Sequence, residues 1–172
     1  YNTMSPVMQL ATGGSMLNFG YWSSKHVDPI SAQDNLCNVF GNLSELSTAK
    51  NAIDVGSGLS APSKLWRDSF PNLNLYDVNI NFKQLCFSKH QKNIEFLNST
   101  STKLPFSDNS VDRVLALESA QHFKPLLDFI VESKRVLVKS GFLVIAIPIT
   151  VSDSSLGKLG LLKFTWSSEH YS

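Results

Sequence analysis

Asp54, Gly56 and Gly58 stand together in the stretch AIDVGSGLSAPSKLW, residues 52–66. Residue types in that order could hold a nucleotide. Two glycines one residue apart, directly after an apolar run, let the backbone turn sharply and approach a ligand with no Cβ in the way. A helix starting around Leu59 to Ser63 would present its free N–H groups and the positive end of its dipole to that ligand. Asp77 closes the next apolar run, about twenty residues after the glycines, where a carboxylate can take both hydroxyls of a ribose. Asp54 poses a separate problem. An acid inside a buried strand is costly unless backbone amides or a cationic ligand group partner it. Because many ordinary parallel strands end in a Gly-x-Gly turn, the acids carry more of the reading than the glycines do.

The elements that must position these residues can be read from apolar periodicity. AIDV (52–55), LNLYDV (73–78), IEFL (94–97), VDRVLAL (111–117) and FLVIAIPI (142–149) are short apolar runs bounded by turn residues, as strands are. Helical patterns lie between them. One runs from Leu59 to Asp68. A second is capped by Asn79 and carries Phe82, Leu85, Cys86 and Lys89 on one face. A third has Pro125 in its first turn, Leu126, Leu127, Ile130, Lys134 and Leu137 on one face, and a stop near Gly141. Alternating strands and helices with nearly unbroken apolar strands predict an α/β fold: a doubly wound, mainly parallel, Rossmann-like sheet with helices on both faces. Right-handed crossovers place all strand ends on one edge, where ligands of such sheets bind.

Residues 1–50 read as an N-terminal lid and helix. Ile30, Leu36, Phe40, Leu43 and Leu46 share a helical face, preceded by the aromatic, Gly-containing MLNFGYWSS. Residues 51–150 form the nucleotide-binding core, and 151–172, with SLGKLGLLKFTW, read as the start of a cap. Fifteen basic and fourteen acidic side chains give a net charge of +1, and no Lys or Arg run suggests a nucleic-acid surface. The longest apolar run, Phe142 to Ile149, is too short for stable membrane insertion. Cys37 and Cys86 sit among apolar residues and read as reduced thiols, which suits a cytoplasmic protein. The four histidines lack metal-ligand spacing, so no metal is expected. Nothing in the sequence speaks to oligomeric state.

Which nucleotide the turn holds is not settled by the glycines, since Ala61 is an allowed third position of a dinucleotide fingerprint. Such cofactors, however, do not call for an acid two residues before the first glycine. DVGSG with YDVN instead resembles the class I S-adenosylmethionine-dependent methyltransferases, whose motif runs hydrophobic-D-hydrophobic-G-x-G-x-G. The similarity continues through STKLPFSDNSVDRVLALESAQHFKPLLDFIVESKRVLVKSGFLVIAIP, covering residues 50–150. LNFGYW and ALESAQHF are similar to a narrower group, the erythromycin-type O-methyltransferases and related sterol, tocopherol and alkaloid enzymes acting on small, often hydrophobic acceptors.

The resemblance implies that S-adenosylmethionine binds with its amino-acid part at Asp54, Gly56, Ser57 and Gly58. Asp77 would hold the ribose, Val78 would lie beside the adenine, and Glu118 near the methionine end, with S-adenosylhomocysteine as product. Two positions depart from the pattern. Ser60 replaces the third glycine, and Thr100 replaces the acid that meets the adenine amine, although Thr100 or Ser101 can accept a hydrogen bond. The family also has two further strands and a cap after the fifth strand, for which this sequence offers no convincing counterpart.

Methyl transfer from a sulfonium is an in-line displacement governed by alignment. An oxygen acceptor must also lose a proton, and His122, just after the fourth strand, is a natural base; alternatively it caps a loop or packs beside Phe123. Gln121 could orient the acceptor or face solvent. Tyr21 and Trp22 could close over a sulfonium with their aromatic faces, or merely anchor the N-terminal segment. The expected function is O-methylation, ahead of N-methylation, of a small hydrophobic molecule. A catalytically silent cofactor- or partner-binding domain is the alternative that Ser60 and Thr100 raise, and an NAD-type oxidoreductase is a third.

Overall fold

The computed structural model describes residues 9–10, 14–89 and 92–149, so the 151–172 segment lies outside the described residues. Among these residues the elements follow the order α1 (Pro29–Leu43), β1 (Asn51–Val55), α2 (Ala61–Ser69), β2 (Asn74–Asn79), α3 (Phe82–Ser88), β3 (Ile94–Asn98), β4 (Val111–Leu117), α4 (Leu126–Val136) and β5 (Leu137–Ala146). All pairings within the sheet are parallel, and the strand order is β3-β2-β1-β4-β5. The order reverses between β1 and β4, which opens a crevice beyond their C-terminal ends.

The sheet is covered on both faces, and the strands show how. Along β1 and β4 successive side chains alternate between two cores. Ala52 and Leu115 join Cys37, Phe40, Trp66 and Leu75 on the α1/α2 side. Ile53, Val114 and Ala116 join Val78, Phe129 and Val136 on the α4 side. Asp54, two residues after Ala52, and Asp77, two after Leu75, therefore point toward the α1/α2 side. Their Cα positions are paired in the ladder.

Asp28 caps α1, its Oδ1 accepting the Ser31 N–H at 3.0 Å, with Pro29 in the first turn. The buried face of α1 is Ala32, Gln33, Cys37, Phe40 and Gly41; Ile30 and Leu43, expected on it, are largely exposed. Gly41 admits Trp66 of α2, since a Cβ there would meet the indole at 3.1 Å. Trp66 stacks on Phe40 and donates from Nε1 to the Cys37 carbonyl at 2.9 Å.

Several element boundaries differ from the sequence reading. β2 runs to Asn79, and α3 is capped by Asn81, which leaves Phe82 exposed and Leu85 buried. α4 turns Phe129, Ser133 and Val136 inward, while Leu127 and Ile130 face solvent. It then passes directly into β5 at Leu137, so Gly141 stops no helix. Gly141 lies instead where β4–β5 register shifts between Val111↔Leu137 and Arg113↔Phe142; a Cβ there would meet the Asp112 carbonyl at 2.8 Å. No helix among the described residues is long and apolar enough to cross a membrane.

Candidate functional site

The β1–α2 turn shows why glycine is needed. Gly56 has φ +76°, and its N–H donates to the Val78 carbonyl at 2.7 Å, tying the turn to β2. A Cβ at Gly56 would lie 2.7 Å from the Ser119 Cβ and 3.2 Å from the Phe123 ring. Ser119 in turn donates to the Val55 carbonyl at 2.7 Å. Gly58, at φ +58°, has only Leu17 nearby, at 3.5 Å. Ser60 also adopts the left-handed region, φ 60°, where its Cβ carries a steric penalty of roughly 1–2 kcal/mol.

Beyond this turn lies a cavity of about 470 Å³ at the C-terminal edge of the sheet. The site residues expected from sequence meet there with two exceptions: Asp54, Gly56, Ser57, Gly58, Val78, Thr100, Ser101, Glu118, Gln121 and His122 all line it.

Asp77 does not. It is wholly buried beneath α2, where its Oδ1 accepts the Ser63 hydroxyl at 2.6 Å. Asn79, one pleat further along the same face, takes the place on the wall that Asp77 was expected to fill. Its Oδ1 accepts the Asn81 N–H at 2.9 Å, and its Nδ2 donates to Gln84 Oε1 at 3.0 Å and the Gly58 carbonyl at 3.2 Å. Asn79 thus braces the glycine turn. The signal for it was the second Asn of the NIN sequence: capping α3 from Asn81 rather than Asn79 moves the strand tip by two residues.

Tyr21 is the second exception. Its side chain is 55% exposed and Trp22 is 51% exposed, and neither reaches the cavity. Their backbones and edges serve as anchors: the Tyr21 N–H donates to Ala32 and its carbonyl accepts Asn35 Nδ2, while Trp22 Nε1 donates to Phe19. The strap residues that do face the cavity are Ser15, Leu17, Asn18 and Phe19. Gln33 of α1 holds this strap by donating to the Asn18 carbonyl at 2.5 Å.

Glu118, at the tip of β4 with φ +50°, closes the strap from the other side. Its Oε2 accepts the Phe19 N–H at 2.7 Å. Burial raises its pKa, opposed by the hydrogen bonds from Phe19 and Asn18. His122 ends a short 3-10 turn, Ala120–His122, and burial lowers its pKa, favouring the neutral imidazole. Gln121 donates Nε2 to the Glu118 carbonyl at 2.7 Å, which leaves its Oε1 buried without a partner. The Ser57 hydroxyl is likewise buried and unpartnered. The Thr100 and Thr102 hydroxyls, also on the cavity wall, lie 3.2 Å apart. Among the described residues no group of His, Cys, Asp and Glu side chains could hold a metal ion.

The sequence model of a methyltransferase domain matches residues 53–145, more than half of the chain. The chain belongs to this family. Its fold and sequence are those of the class I S-adenosylmethionine-dependent methyltransferase family. The erythromycin 3''-O-methyltransferase of Saccharopolyspora erythraea is 27% identical over 152 residues, covering 84% of this chain and 50% of the relative. The chain thus spans about half the length of the curated relatives it matches. Among solved structures, the [4+2]-cyclase SpnF superposes with a TM-score of 0.79 at 20% identity, covering 89% of this chain and 61% of that one. Coclaurine N-methyltransferase, bound to N-methylheliamine and S-adenosylhomocysteine, superposes at 0.63 and 17%, covering 75% and 40%. The fold therefore serves more than one reaction.

The cavity suits the family's cofactor by its own chemistry. Gly58 offers a face where a Cβ would occupy ligand space, and the buried Ser57 hydroxyl and Gln121 carbonyl lack the partners such groups ordinarily have. The 470 Å³ volume is within the range of small-molecule sites.

Proposed function

We propose that this chain binds S-adenosylmethionine in the cavity beyond β1 and β4 and methylates a small, hydrophobic acceptor, at oxygen in preference to nitrogen. The observation that carries the reading is the Gly56–Gly58 turn opening onto a cavity whose wall includes Asp54, Glu118 and His122. The preference for oxygen rests on the relative named as an O-methyltransferase.

Asp54 and the Gly56–Gly58 backbone would hold the cofactor's amino-acid end. Val78 would pack on the adenine, and Thr100 or Ser101 would accept from its amine. Asn79, in place of Asp77, stands where the ribose hydroxyls would come. S-adenosylmethionine supplies a methyl group already activated on a sulfonium. What remains for the chain is alignment, exclusion of water and removal of the acceptor's proton. The strap from Ser15 to Phe19 lines the cavity, and the neutral His122 imidazole can take a hydroxyl proton. Gln121 Oε1 can accept a hydrogen bond from the acceptor and orient it.

The test is incubation with methyl-labelled S-adenosylmethionine and a panel of hydrophobic alcohols, phenols and amines, followed by detection of labelled product. Transfer to a hydroxyl that falls at least a hundredfold in His122→Ala supports the reading. Cofactor binding with no transfer to any acceptor favours a silent binding domain, and failure to bind removes the reading altogether.

A further inference from the structure

The pairing of Asp54 with Asp77 through a shared serine is a feature that the transfer reaction itself does not explain. The Ser63 hydroxyl, on α2, lies 2.9 Å from Asp54 Oδ2 and 2.6 Å from Asp77 Oδ1. A hydroxyl carries one proton and can donate to one carboxylate only. The other short contact is satisfied when that carboxyl is itself protonated and donates to the serine oxygen. The two lengths suggest the direction: 2.6 Å is the length of a charge-assisted O–H···O⁻ bond, and 2.9 Å that of a neutral one. The chain of donors then runs from Asp54 O–H to Ser63 Oγ–H to the Asp77 carboxylate.

The surroundings demand such an arrangement. Both acids are buried, 3% and 0% exposed. None of the ion pairs among the described residues involves either one. From α2 they face Ser60 and Ser63. Arg67, a turn further on, directs its Nη1 to the carbonyls of Pro71 and Leu73, and its Nε is buried without a partner. From α1 comes Cys37, whose thiol is raised chiefly by burial, with Asp54, Asp34 and Glu118 adding to that effect. Ser60 faces the Asp77 carboxyl without closing a well-formed hydrogen bond, and Asp77 Oδ2 has no partner. Among the described residues no cation compensates the pair, and the charge that bears on Asp54 is that of Asp77. Burial, reinforced by the neighbouring Asp77 charge, lifts Asp54 well above the carboxylate range, and burial lifts Asp77 to about 7. Two bare carboxylates in this place would be opposed by desolvation and by each other.

We propose that Asp54, Ser63 and Asp77 form a proton relay that holds one proton in the cavity wall and passes it from Asp54 to Asp77 when a cationic group settles beside Asp54. The Asp54 O–H bond breaks as its proton joins Ser63 Oγ. The Ser63 proton moves to Asp77 Oδ1, and the pair keeps one proton and one negative charge throughout. The negative charge simply changes residue. Asp54 touches the cavity and Asp77 does not, so the charge comes to the wall only when a cation is there to meet it. This rests on the cofactor reading above, with the ammonium of the amino-acid end as the cation. Near neutral pH such binding exchanges no proton with solvent. Below the Asp77 pKa the pair holds two protons and one must leave, so affinity falls about tenfold per pH unit.

Two measurements on the purified chain test the relay: infrared difference spectra of protonated carboxyl groups, and calorimetry in buffers of different ionisation enthalpy. The probes are S-adenosylhomocysteine, which has the ammonium, and adenosine, which lacks it. At pH 7.5 the free protein should show a protonated-carboxyl band that disappears in Asp54→Asn. S-adenosylhomocysteine should shift that band without abolishing it and without net proton release, whereas adenosine should leave it unchanged. Ser63→Ala should convert this response into release of a proton to buffer, and Ser63→Thr, which keeps the hydroxyl, should restore it. If Ser63→Ala does not fold, Asp77→Asn removes the receiver and should likewise abolish the shift. Absence of the band in free protein, or a band lost with equal proton release in wild type and Ser63→Ala, overturns the relay alone. If S-adenosylhomocysteine fails to bind folded protein, the cofactor reading falls and the relay falls with it.

Discussion

Gly56 and Gly58 have similar backbone angles but opposite surroundings, and alanine at each should fail in a different way. Both substitutions place a Cβ in the left-handed region, at φ +76° and +58°, a penalty of about 1 kcal/mol once the stiffer unfolded chain is allowed for. At Gly58 little is added, because the new methyl touches only Leu17 at 3.5 Å, an ordinary contact. At Gly56 it meets the Ser119 Cβ at 2.7 Å and presses on Phe123, and such overpacking adds about 1–3 kcal/mol. The Ser119–Val55 hydrogen bond is disturbed as well. With roughly 2–4 °C lost per kcal/mol in a chain of this size, Gly58→Ala should lower the melting temperature by about 2–4 °C. Gly56→Ala should lower it by roughly 4–16 °C. Binding should show the reverse order of interest. The Gly58→Ala methyl projects into the cavity and should weaken S-adenosylhomocysteine at least about tenfold, or 1.4 kcal/mol, in protein that remains folded. Thermal denaturation and titration calorimetry read the two effects separately. Equal loss of stability at both positions, or full affinity in Gly58→Ala, would refute the geometry drawn for the turn.

Asn79→Ala removes hydrogen bonds to Gly58, Gln84 and Asn81; it should cost about 1–3 kcal/mol in denaturant unfolding and weaken cofactor binding. Asp77 carries a raised pKa in the folded state, so between the unfolded value and about 7 the native protein holds more protons. Stability of the free protein should fall as pH rises across that window, and Asp77→Asn should flatten the fall in melts from pH 4 to 8. Glu118→Ala deprives the Phe19 N–H of its acceptor and should speed limited proteolysis within residues 14–22 while raising KM for the cofactor. His122, with its pKa lowered by burial, should make the transfer rate rise with pH and level off at a pH lower than an ordinary imidazole would set. A profile unchanged in His122→Ala would show that another group takes the proton.

The strands and the glycine turn were legible because their signals are local. Val111–Leu117 is an apolar run broken only by Asp112 and Arg113 near its start, and it forms the strand with the expected bounds. Asp54, Gly56 and Gly58 announce themselves within five residues. Facing was harder to read. The α4 sequence offers Leu126, Leu127, Ile130 and Lys134, continuing to Leu137, as one helical face. Yet Phe129, Ser133 and Val136 form a second face at the same helical spacing, and the edge-on contact of Phe129 with the Phe123 ring at 4.7 Å favours the latter. The exchange of Asp77 for Asn79 has a similar origin. Either Asn can cap a helix, and only the pairing of Asn79 with Asn98 shows that β2 continues that far. The strap was legible as aromatic but not as oriented. It has no repeat, and its facing is set by distant partners, Gln33 and Glu118.

A crystal structure of this chain with S-adenosylhomocysteine is the most direct measurement. The adenosine should lie against Val78 and Asn79, with the amino-acid end over the Gly56–Gly58 turn beside Asp54. A ligand bound elsewhere, or a saturated crystal whose cavity holds only water, would contradict the assignment of this crevice as the cofactor site.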